Sequence, residues 1–220
     1  MKVYQNINGG VLHSHRPYDI DPTTKIQNGQ VVDLVNGLVV PHNAAGTGAI
    51  LGVAAEYHGG TPDALDPRSN GPEILVWDGP GQVFSCPAPK LTALAGGSAT
   101  TVKATLAGAE SAYVGGHLKL VAKAEDSENT DAIGTVRCIT AFATASGTGT
   151  FTLEEGGVPS AGDEYVLFPP VGFAGGNLDA GGQKLVVTAT AAMPLRVVGR
   201  IEETNEITVM AGKHVFGVTG

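Results

Sequence analysis

Turn-forming residues punctuate this sequence so densely that almost no stretch is left for a long helix. Its 32 glycines and 13 prolines make up about a fifth of the 220 residues, and both residue types weaken a helix interior. Between the breaks lie short runs rich in β-branched residues, which suit strands. VVDLV-NG-LVV, residues 31–40, reads as a hairpin, because Asn36-Gly37 supplies the two positive φ angles of a type I′ turn. EILVWD and QVFSC, on either side of Gly79-Pro80-Gly81, read as a second hairpin. Further strands are expected at 101–107, 117–123, 133–142, 150–155, 164–168, 184–191, 195–201, 206–210 and 214–218. The chain is therefore all-β.

Two compositional shifts suggest how it is organised. LTALAGGSATTVKATLAGAE (91–110) is rich in Ala, Gly and Thr, and FPPVGFAGGNLDAGGQ (168–183) in Gly and Pro. Such stretches mark boundaries. They delimit an inserted β-domain at 95–180, set into a barrel- or sandwich-like base domain formed by 1–90 and 183–220.

Charge and cysteine usage limit the function classes. The net charge of −8 argues against an electrostatic grip on nucleic acid or an anionic membrane. The densest acidic cluster, EDSENTD (125–131), reads as a solvated loop. Cys86 and Cys138 each sit in an apolar, strand-like run and read as buried free thiols rather than as a disulfide. MKVYQNINGGVLHSHRPY lacks the apolar core of a signal peptide, and AILGVAA is too short to span a bilayer. Synthesis without a signal-peptide route is the expectation.

Three constellations contain residue types that carry chemistry. In HSHRPYD, His13 and His15 alternate onto one face of an extended chain, with Asp19 further on; this resembles the first half of the cupin metal motif. Asp19 stands where that motif has Glu, Pro17 interrupts the strand, and neither His42 nor His214 completes it. The second is the excursion after AILGVAA, which strings together Glu56, His58, Asp63, Asp66, Arg68 and Glu73. Turn chemistry accounts for its aspartates, and Arg68 suits an ion pair that ties the loop down. The third is nucleophilic or phosphate chemistry, for which GxSxG is missing and GTGAILG lacks the Lys of a P-loop. No catalytic residue, metal or cofactor is assigned.

The order MKVYQN, RPYDIDPTTKIQNGQVVDLVNGLVV, AILGVAAEYH, NGPEILVWDGPGQVF resembles the N-terminal part of capsid cement, or head decoration, proteins of tailed bacteriophages. The match covers about 90 residues and extends to the C-terminal strands LRVVGRI and HVFG. The middle segment, with GTVRCIT and GDEYVLFPP, resembles a small β-barrel module inserted in phage structural proteins. This resemblance implies a non-enzymatic protein, made in the host cytoplasm and carried on the outer capsid surface of the virion. Its implied partners are the major capsid protein and its own copies, as a homotrimer. It also implies that GVAAE is a core strand and that the excursion after it is surface or interface. Residues 1–18 then read either as an arm ordered by a neighbour or as an ordinary edge strand. Tyr4, Arg16, Tyr18 and Arg68 are the expected contact residues, since Arg and Tyr suit interface cores.

Two other classes compete. An adhesion or carbohydrate-binding β-module would present aromatic platforms, whereas the one tryptophan, Trp77, lies in a strand expected to be buried. A cupin-like metal protein would need the ligand set that HSHRPYD leaves incomplete.

Overall fold

The computed structural model describes residues 2–6, 15–42, 49–59, 71–79, 81–106, 112–173, 176–178, 185–187, 195–212 and 215, with backbone alone at 2–6, 176–178 and 185–187. Among them are nineteen strands and no helix. The first nine are β1 (Lys2–Asn6), β2 (His15–Asp19), β3 (Lys25–Ile26), β4 (Val31–Val35), β5 (Leu38–Pro41), β6 (Gly52–Ala54), β7 (His58–Gly59), β8 (Glu73–Trp77) and β9 (Gln82–Pro87). The middle of the chain gives β10 (Lys90–Thr92), β11 (Thr101–Thr105), β12 (His117–Ala122), β13 (Val136–Ala145), β14 (Thr148–Leu153) and β15 (Glu164–Phe168). The last four are β16 (Gly176–Leu178), β17 (Leu185–Val187), β18 (Leu195–Ile201) and β19 (Glu206–Ala211). The protein is all-β, as its turn spacing predicts. The strand expected at 214–218 falls almost wholly outside the described residues.

Three larger sheets carry the fold. One has the order β2-β8-β6-β4-β5, a second β1-β9-β19-β18, and a third β10-β15-β12-β13-β14-β11. The five-stranded sheet curls until its outer strands touch at a parallel bridge, Ile20 to Val39. Its concave side holds Ile26, Val32, Leu51, Ile74 and Val76, all buried. Val31, Ile50 and Val53 join a larger cluster shared with the four- and six-stranded sheets, which includes Phe84, Val209, Leu118 and Phe168. Burial on both sides explains why these runs are continuously apolar rather than alternating. The GVA of β6 is buried at every position.

All strands of the six-stranded sheet come from residues 90–168. It does not close into the expected barrel. Its outer strands meet at one bridge, Ala93 to Ala104, beside a Leu94 N–H bond to the Lys103 carbonyl. Closure needs a continuous ladder, and β10 is three residues long. The β18–β19 turn joins this sheet to the four-stranded one. Lys119 donates to the Glu202 carbonyl at 2.5 Å and to Asn205 Oδ1 at 2.8 Å, and Arg200 meets His117.

The Asn36-Gly37 hairpin forms as read, with φ of 52° and 83° and Val35 opposite Leu38. The second expected hairpin does not. β8 pairs with β2 and β6, while β9 pairs with β1 and β19. Both ladder sides of each strand are taken, so the chain changes sheets between residues 77 and 82. Both ends of the N-terminal segment are strands of the chain's own sheets: β1 lies along β9 and β2 along β8.

Candidate binding surface on the outer strand

β2 lies at one side of the five-stranded sheet and is exposed at every position except Tyr18, which is half-buried. Alternation divides its side chains between two faces. Arg16 and Tyr18 stand opposite Val76 and Ile74, on the face that Asp78 also shares at the end of β8. Asp78 is only 2% exposed, and a buried carboxylate needs donors. The Tyr18 hydroxyl donates to its Oδ2, and Arg16 Nε lies 3.5 Å from the same atom. The Arg16 side chain nonetheless stays 66% exposed. Burial, and then the hydrogen bond to Asp78, push the Tyr18 phenol up to about 12. Two of the expected contact residues are thus brought together and oriented by a carboxylate that the sequence reading left without a role.

The other face carries His15, Pro17 and Asp19 opposite Trp77, Leu75 and Glu73. His15 meets the Trp77 indole edge-on, with ring centroids 4.9 Å apart and planes at 81°. Trp77 is half-buried rather than buried. It ends β8 between His15 of β2 and Val53 of β6, packing on the larger core and meeting the His15 ring. His15 and Asp19 are four residues apart on an extended strand, about 13 Å, too far to share one metal ion. His13, Arg68, Asp63 and Asp66 lie outside the described residues, and so does the side chain of Tyr4. Among the described residues no three His, Cys, Asp or Glu side chains are grouped to hold a metal.

The described ends of the excursion serve the backbone. Glu56 Oε1 accepts the Leu75 N–H at 2.8 Å. His58, 1% exposed, sets Nδ1 2.6 Å from the Thr24 carbonyl and Nε2 3.1 Å from that of Gly71. His42 pairs through Nδ1 with Asp33 at 2.7 Å.

A further polar group, unforeseen from the sequence, closes one end of the six-stranded sheet. EDSENTD is not simply solvated, for Asn129 is 3% exposed and donates to Asp163 and to the Tyr165 hydroxyl. Arg137, 5% exposed, donates to the carbonyls of Glu154, Gly157 and Ala99 and pairs with Asp131 at 3.3 Å. These partners use the guanidinium for structure. The one cue to the polar group in the sequence is Arg137, a charged residue inside the apolar run VRCIT. Cys86 and Cys138 are not joined in a disulfide; Cys86 is buried and Cys138 part-exposed on β13.

No family model, curated protein or solved structure matches this chain.

Proposed function

We propose that the chain is a capsid cement protein, binding the major capsid protein on the outside of a tailed-phage head as a homotrimer. The observation that carries this reading is the outer strand β2, whose Arg16 and Tyr18 are fixed by the buried Asp78 while Arg16 remains exposed. A contact side chain held in place before binding loses less freedom on association, so more of its interaction energy appears as affinity. The resemblance of about 90 N-terminal residues to head decoration proteins supports the same reading. A packed head presses outward on a thin shell, and a β module bridging neighbouring coat subunits adds contact area without chemistry. The net charge of −8 suits the outer surface, away from DNA. The protein acts there after synthesis in the host cytoplasm, without cofactor, nucleic acid or membrane.

The test is to add purified protein to heads that lack it and image them by electron microscopy. Added density at three-fold and quasi-three-fold positions, lost in Arg16→Ala, is the expected result. Absence of any binding to heads would sink the reading. One observation favours a second reading, a carbohydrate-binding module: Trp77 reaches the surface beside the exposed His15. Retention on a glycan array with no affinity for heads would establish it.

A further inference from the structure

Three cross-strand pairs stand in line on the outward face of β2 and β8. They are His15 with Trp77, Pro17 with Leu75, and Asp19 with Glu73. The first is aromatic, the second apolar and the third doubly acidic. Side chains directly opposite on antiparallel strands have Cβ atoms about 5 Å apart, and like charges so placed destabilise a sheet. Neither Asp19 nor Glu73 enters an ion pair or hydrogen bond among the described residues. Both are exposed, as are His15 and Pro17. A local rule broken without internal compensation marks a place where function outweighs stability.

We infer that this ladder docks an extended segment of a partner protein carrying a lysine or arginine beside an apolar side chain. The inference rests on the cement reading, under which that segment belongs to the coat. A cation between Asp19 and Glu73 turns a repulsion into two attractions. An apolar side chain placed two residues away, about 7 Å along an extended chain, covers Pro17 and Leu75. Strand addition at the β2 edge is the poorer route, because Pro17 has no N–H to donate and that edge already meets β5 through Ile20 and Val39. Recognition therefore runs through side chains on the face.

Trp77 is the single tryptophan, so its fluorescence reports on this ladder. A peptide repeating lysine, serine, leucine and serine, which when extended sets Lys and Leu two residues apart on one face, is the probe, titrated into wild type and into the Asp19→Asn, Glu73→Gln double variant. A saturable change in wild type, weakened about tenfold or more in the double variant and by high salt, is expected, with the variant melting no lower than wild type. An equal response from both proteins, or none from either, overturns the inference, as does a variant whose melting point falls with its binding. The same pair of proteins is then added to heads. Wild type that ignores the heads but binds the peptide removes the cement reading and leaves the ladder. Equal binding of both proteins to heads removes the ladder and leaves the cement reading.

Discussion

Asp163 ties the loop that follows β12 to the turn that precedes β15. Its carboxylate accepts the N–H groups of Ala124 and Ser160, both at 3.0 Å, and the Asn129 amide at 2.9 Å. Burial pushes this carboxyl up, but hydrogen bonds from Asn129, Ser127, Ala124 and Ser160 outweigh it and hold the group below the ordinary aspartate value of 3.8. A depressed folded value contributes stability that is complete above 3.8 and drains away as acid passes through the lower one. Asp163→Ala strands the buried Asn129 amide, at about 1–3 kcal/mol, and two part-buried N–H groups at less each. Urea unfolding at neutral pH is therefore expected to show a loss of a few kcal/mol, and a shallower further loss in acid than wild type suffers. The tyrosines work in the opposite direction. Burial is the leading cause that raises Tyr18, Tyr113 and Tyr165 to about 12. The stability they contribute is complete below the ordinary value of 10.0 and falls as pH climbs from there toward 12. Denaturation midpoints measured across that alkaline range should drop, less steeply in Tyr18→Phe.

Among the elements, two glycines separate backbone strain from steric exclusion. A Cβ on Gly37 would meet nothing within 4 Å, but its φ is +83°. Gly37→Ala should cost only the left-handed penalty, about 1–2 kcal/mol. A Cβ on Gly52 would lie 2.1 Å from the Trp77 carbonyl oxygen, so Gly52→Ala must push β6 away from β8. Thermal melting should find Gly52→Ala far more damaging than Gly37→Ala. The same contrast explains what could be read in advance. The Asn36-Gly37 hairpin was legible because two adjacent residues set its geometry. EILVWD and QVFSC looked equally like a hairpin, but their partners, β2, β6, β1 and β19, come from elsewhere in the chain. Asp78 was opaque for the same reason: Tyr18, which donates to it, is 60 positions away. Asn129 and Asp131 have the composition of a solvated loop, and only Asp163 and Arg137, brought up by the fold, turn them inward.

For the whole molecule, the four-stranded sheet is the meeting point of the chain. β9 is buried at every position but its last, with β1 along one side and β19 along the other. Deleting residues 1–6 uncovers a ladder edge on an apolar strand, which is a template for self-association. The truncated protein should melt lower and, in sedimentation, form aggregates that wild type does not. The two larger sheets at this junction also differ in how far apart their strands lie in the chain. The six-stranded sheet draws only on residues 90–168, while the four-stranded sheet needs residues 2–6, 82–87, 195–201 and 206–211. Contacts between distant segments form late, because loop closure must come first. Pulsed hydrogen exchange during refolding should find β12 and β15 protected before β9 and β19. On the ribosome the consequence is one of timing: the middle of the chain can finish its sheet during translation, while β9 waits with one side uncovered until residue 211 has emerged.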